Sequence, residues 1–132
     1  MNILDRIVRD TAELADAGVR SVAIMSNDVA QYPADAPPKM ARLAAERGFV
    51  FPYLYDEDQS VARAYGAVCT PDFFGYDADL RLQYRGRLDA SRMDPASPDA
   101  RRELYEAMLQ IAREGRGPAE QTPSIGCSIK WQ

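Results

Sequence analysis

The hexapeptide Ser-Val-Ala-Ile-Met-Ser at 21–26 is apolar without a helical period, and it is bounded by Gly18 and by Asn27-Asp28. A short continuous run of this kind reads as a strand buried on both faces, hence as part of a parallel sheet covered by helices. The neighbouring periods supply those helices. Ile3, Leu4, Ile7, Val8, Leu14 and Ala15 recur at helical spacing, and Gly18 sits where a left-handed C-terminal residue is wanted. Asp35 can cap a second helix that opens on Pro37-Pro38, buries Met40, Leu43 and Ala44, and stops at Gly48.

The rest of the chain continues the alternation. Phe49 to Tyr55 is aromatic and β-prone, but Pro52 lacks an amide donor, so this strand is expected to be short or near an edge. Asp56-Glu57-Asp58 precedes the short helical run Gln59 to Tyr65, where carboxylates complement the positive end of the helix dipole, and Gly66 closes it. Residues 72–76 and 80–85 read as an antiparallel hairpin around the turn-rich Asp77-Ala78-Asp79. Ser97-Pro98-Asp99 is a helix start, and Leu104, Met108, Ile111 and Ala112 form the stripe of the last long helix, ended by Gly115 and Gly117. From Pro118 the chain is rich in turn formers, yet it finishes Gly-Cys-Ser-Ile-Lys-Trp, too apolar for a solvated tail. The order α-β-α-β-α-β-β-α predicts one layered α/β domain over 1–132 with a mixed sheet, and a tail, 118–132, packed back on it.

Several chemistries are excluded by composition. The chain has no histidine, which removes Ser-His-Asp and Cys-His catalysis and the histidine-based zinc sites. Asp77-x-Asp79 does not continue as a calcium loop, because Leu82 and Leu88 stand where glycine and glutamate are needed. Neither standard Gly-rich phosphate loop occurs, so no cofactor is expected. A net charge of -4 argues against nucleic acid or an anionic membrane as partner. With no membrane-length apolar run and no secretory signal, the expected compartment is the cytoplasm. Two cysteines are too few for a disulfide scaffold.

One of those cysteines lies in Gly-Ala-Val-Cys-Thr-Pro-Asp-Phe-Phe, residues 66–74, within the longer run Tyr53 to Phe74. That run resembles the peroxiredoxin-like branch of the thioredoxin superfamily, related to alkyl hydroperoxide reductase and thiol-specific antioxidant proteins. The ending Pro-Ser-Ile-Gly-Cys-Ser-Ile-Lys-Trp and the stretch Ser-Asn-Asp-Val-Ala-Gln-Tyr-Pro-Ala-Asp near residue 30 are similar to the same branch, so the resemblance covers essentially the whole chain. It implies a thioredoxin-like fold in which Pro71 is the cis-proline beside the redox centre, with Thr70 before it. It also implies a thiol or peroxide substrate, with a protein thiol reductant and a second copy of the chain as candidate partners.

The resemblance further implies a Cys-x-x-Cys at the start of the first helix, delivered by a central strand between 21–26 and 72–76. Met1 to Leu4 hold no cysteine. An N-terminally truncated fold is therefore expected, with Met1 a doubtful start and two half-sheets facing one another unless they close up, a partner lends the strand, or the natural protein is longer.

Two classes of function follow. In the first, a thiol-disulfide or peroxide-reducing enzyme, Cys69 and Cys127 are the candidate catalytic thiols, and Lys130 is the nearest cation to activate Cys127. In the second, a redox-silent binding module, the groove beside Thr70 and Pro71 holds an extended peptide by strand addition. Purely structural roles stand beside both: Cys69 as a small buried residue, and Cys127 as a packing anchor with Ile129 and Trp131. Arg85 and Arg87 could face an anionic substrate or another subunit, or simply end a solvated strand.

Overall fold

A computed structural model describes residues 2–91 and 100–132. Among these, four α-helices alternate with six short strands, a mixed α/β architecture. Helix α1, Ile3–Asp16, is capped by the Asn2 carboxamide, which accepts from the Asp5 amide, and it ends at Gly18, whose φ of 87° is left-handed. Strand β1, Ala23–Met25, keeps only the middle of the predicted apolar run. Helix α2, Pro37–Arg47, starts where the proline pair predicts, but its N-cap is Ala36. Asp35 lies instead in a 3-10 turn and accepts from the Asn27 carboxamide at 3.1 Å.

Strand β2, Tyr53–Tyr55, begins directly after Pro52, whose carbonyl still accepts from Ala23. It runs parallel to β1 with Ala23 opposite Tyr53 and Met25 opposite Tyr55. Helix α3, Ser60–Tyr65, receives its acidic cap as expected: the Asp56 carboxylate accepts from the Val61 and Ala62 amides, and Asp58 from the Ser60 amide. After α3 come β3, Cys69–Thr70, and the hairpin of β4, Phe73–Tyr76, with β5, Leu82–Gly86. Helix α4, Glu103–Glu114, follows, and the two-residue strand β6, Cys127–Ser128, lies in the tail. The predicted cap Ser97-Pro98-Asp99 lies outside the described residues.

The expected mixed sheet is divided into three two-stranded ladders among the described residues: β1–β2, β3–β6 and β4–β5. No ladder joins β1 to β4, so the two halves do not close up on one another. Their connection runs through α1, which packs on both α2 and α4. The apolar core lies on the α4 side, where Leu14, Tyr84, Leu88, Leu104, Ala107, Met108 and Ile111 are buried together. Ala112, read as part of that stripe, is exposed, because the face of α4 that meets β5 is centred on Ala107 and Ile111. In α1 the deepest side chains are not the aliphatic ones but Arg6 and Asp10, both 0% exposed.

Candidate functional site

The candidate thiols Cys69 and Cys127 and the groove residues Thr70 and Pro71 fall on β3, β6 or the turn that follows β3. The Thr70–Pro71 peptide bond is cis. Pro71, with Ile3 at the start of α1, Phe73 and Leu88, lines a narrow crevice whose wall also includes Ser124 and Ile125 of the tail. Thus the beginning of α1 and Pro71 share one small cleft, although about seventy residues separate them in sequence.

The tail reaches β3 antiparallel, with Thr70 opposite Cys127 and Cys69 opposite Ser128. Directly opposed residues in an antiparallel pair project to the same face, and successive residues to opposite faces. Cys127 therefore shares a face with Thr70, while Cys69 projects to the other. Both thiols are free, and this register holds their sulfurs on opposite sides of the ribbon rather than in bonding range. Gly126 is required by the close approach, since a Cβ there would overlap the Thr70 carbonyl oxygen.

The two thiols differ in setting. Cys69 is half-buried, its Sγ 3.8 Å from the Ser124 carbonyl, and its pKa is pushed up by burial and by Asp72, with Arg85 opposing. Raising that pKa suppresses the thiolate. Cys127 is exposed. Lys130 does not serve it: its ammonium donates to Ser128 Oγ at 3.2 Å and lies 5.9 Å from the Tyr32 ring centre. Trp131 lies under the Arg63 guanidinium at 4.4 Å and is partly exposed.

The two arginines at the end of the hairpin have partners of their own, although Arg85 stays exposed and only Arg87 is partly covered. Arg85 donates to the Gly66 carbonyl at 2.7 Å and stacks over Phe74, while Arg87 pairs with Glu103 at 2.7 Å. Tyr84 between them is among the most buried residues; its hydroxyl donates to the Arg87 carbonyl, and burial pushes its pKa up to about 12.

Model-based and structural comparisons bear on these residues as a set. The Redoxin family model matches residues 3–104, which include α1 and the Cys69-Thr70-Pro71 turn. The chain belongs to the Redoxin family. Its fold is accordingly thioredoxin-like, and its family-level function is redox chemistry related to that of the peroxiredoxins. A crystal structure of an uncharacterized conserved protein from Geobacillus kaustophilus is 49% identical, with a TM-score of 0.89 over 99% of this chain and 69% of that one. A hypothetical protein from Sinorhizobium meliloti 1021 is 38% identical, with a TM-score of 0.92 over 98% of this chain and 71% of that one. No curated protein matches.

Two groups of residues around the Redoxin site went unread in the sequence. One is a polar spine along α1 that reaches the crevice wall at Asp89: Arg6 Nε to Asp89 at 2.8 Å, both buried, and the partly exposed Arg102 to the buried Asp10 at 2.7 Å and to Glu13 at 2.8 Å. Arg6 and Asp10 are one helical turn apart, a spacing that reads as a solvated surface pair; nothing local marks Asp89 as a partner. The other group, Asn27, Asp28 and Gln59, holds the end of the tail. Gln59 is 1% exposed with a φ of 63°, and its carboxamide donates to the carbonyls of Ser26 and Lys130 at 2.8 Å each.

Proposed function

We propose that this Redoxin chain performs thiol-disulfide exchange with Cys127 as its reacting thiol. The observation that carries this reading is the position of Cys127, exposed and paired with Thr70 beside Pro71, while Cys69 is half-buried with its pKa pushed up. In the reaction, the Cys127 thiolate attacks one sulfur of a small disulfide. The disulfide S–S bond breaks, a mixed disulfide forms on Cys127, and the other half leaves as thiolate. A second, external thiol then attacks the mixed disulfide, restores the Cys127 thiol and carries the remaining half away as a new disulfide. Thr70 and Pro71 present the backbone and the crevice wall against which the incoming group lies.

The alternative, a redox-silent module that holds an extended peptide along Thr70 and Pro71, must compete with residues 127–128, which already pair with β3.

The test is release of a chromophoric thiolate from a small aromatic disulfide under excess external thiol. Cys127→Ser should abolish the protein-dependent rate, whereas Cys69→Ser should keep it. Equal loss in both variants, or dependence on Cys69 alone, overturns the assignment.

A further inference from the structure

The tail is fastened unevenly. Ile125, at 62% exposed, and the exposed Gly126, Cys127 and Ser128 lie over β3 and the crevice with their side chains in solvent; the first side chain to be buried is Ile129. Beyond it the polypeptide is held by backbone groups and by two side chains, Trp131 against the Arg63 guanidinium and Gln132 Nε2 donating to the Glu57 carbonyl at 2.9 Å. The Lys130 amide donates to the Asn27 carboxamide at 2.9 Å. The Lys130 carbonyl accepts from the Asp28 amide and from Gln59 Nε2, each at 2.8 Å. The Gln132 amide donates to Gln59 Oε1 at 3.0 Å.

We propose that residues 124–132 form a reversible strap, latched by Asn27, Asp28 and Gln59, whose release bares the backbone edge of β3 and opens the Pro71 crevice. β3 has no partner other than β6 among the described residues, so departure of the strap leaves Val68 to Thr70 as an unpaired edge. Ser124 and Ile125 form part of the crevice wall and leave with the same segment. Edge and crevice therefore become available together, to an extended chain that pairs as residues 127–129 now do. None of these attachments, nor the Ser124 hydroxyl bond to the Gly86 carbonyl at 2.6 Å, includes a member of the Leu14 to Ile111 core, so the strap opens without disturbing it, as low-stability segments do in folded proteins. The strap stands on pairing and burial alone and goes beyond the assignment of Cys127.

The experiment supplies the strap in trans. A fluorescein-labelled peptide of residues 124–129, which ends before the latch so that Asn27 and Gln59 hold the strap but not the probe, carries Cys127→Ser so that no thiol chemistry takes part and is titrated against the full chain and against Gln59→Ala and Asn27→Ala. If the strap is reversible, both latch variants bind the peptide roughly tenfold tighter than the unmodified chain, because losing a latch bond raises the fraction of open molecules. Hydrogen exchange on the unmodified chain, which needs no variant, should then show the Ile129 and Lys130 amides exchanging on the order of 100-fold faster than those of α4. Equal peptide affinity in all three chains, or tail amides that exchange only as slowly as α4, overturns the strap. Either result leaves the Cys127 assignment untouched, since the probe carries no thiol.

Discussion

The two halves of the molecule solve the same problem with different means. Around β4, β5 and α4, burial is apolar and dense, and Tyr84, Leu88 and Met108 are enclosed with Leu14 of α1. Around β1, β2 and α3, Val22 is 57% exposed and Leu54 50%, and the buried members include Ser26, Asp28, Asp56 and Gln59. There the structure is organised by directed bonds: Asp56 takes the Ser26 hydroxyl and two α3 amides, and Gln59 joins Ser26 to the tail. Hydrophobic burial tolerates many geometries, whereas hydrogen bonds specify one. The first half therefore supplies stability, and the second supplies a definite but releasable seat for the tail.

The comparison is broken most severely by Asp89→Ala, which removes a buried carboxylate bound to the buried Arg6 guanidinium. Removing one member of a buried pair costs about 3–5 kcal/mol, so denaturant unfolding should show most of the stability lost. A loss below about 1 kcal/mol would contradict a buried spine.

Next comes the same substitution made in each half. Met108→Ala should cost about 2–5 kcal/mol in the closed core. Met40→Ala should cost less, because Met40 is the single buried side chain on α2 and lies outside the cluster that encloses Met108. Equal losses in parallel urea titrations would erase the distinction.

The pH dependence of the apolar half follows from Tyr84. Its folded pKa is about 12 against an ordinary 10.0. Below the unfolded value both states hold the proton and the contribution to stability is complete; as pH rises from 10 through 12 the unfolded chain ionises first and stability is lost. The loss is on the order of 2 kcal/mol. An ultraviolet phenolate titration should show a late step that Tyr84→Phe removes, and a late step that survives the substitution would assign the shift elsewhere.

The smallest effect sharpens the contrast instead. Ile24→Thr and Leu54→Thr, side by side on the uncovered face of β1–β2, should each change stability by only about 0.5 kcal/mol. A cost above roughly 1.5 kcal/mol, in the range of core burial, would mean that this face is covered in solution.

Among the described residues, much of the element order was legible because it is encoded locally. The aliphatic period of α1, Gly48 and Gly66 as left-handed helix ends, Pro52 at the start of β2, and the Asp56 to Asp58 caps of α3 each depend on neighbours within a turn or two. The Redoxin membership and thioredoxin-like fold were legible for a related reason, since long runs such as Tyr53 to Phe74 carry the family pattern in contiguous residues. Asp35 failed as a cap because Asn27, eight residues away, competes for its carboxylate. Arg85 is exposed as a solvated strand end is expected to be, whereas the partial cover of Arg87 was not legible because its partner Glu103 is remote in sequence.

By itself, then, the sequence determined the alternation of helices and strands and the family, because periodicity, caps and breakers act over a few residues. Tertiary structure alone decided that Arg6 is buried against Asp89, that Cys127 is paired with Thr70 and shares its face, and that the tail takes the edge of β3. Each of these joins residues more than fifty positions apart. Such pairings are selected by which surfaces remain open once the elements have packed, and no local pattern records that.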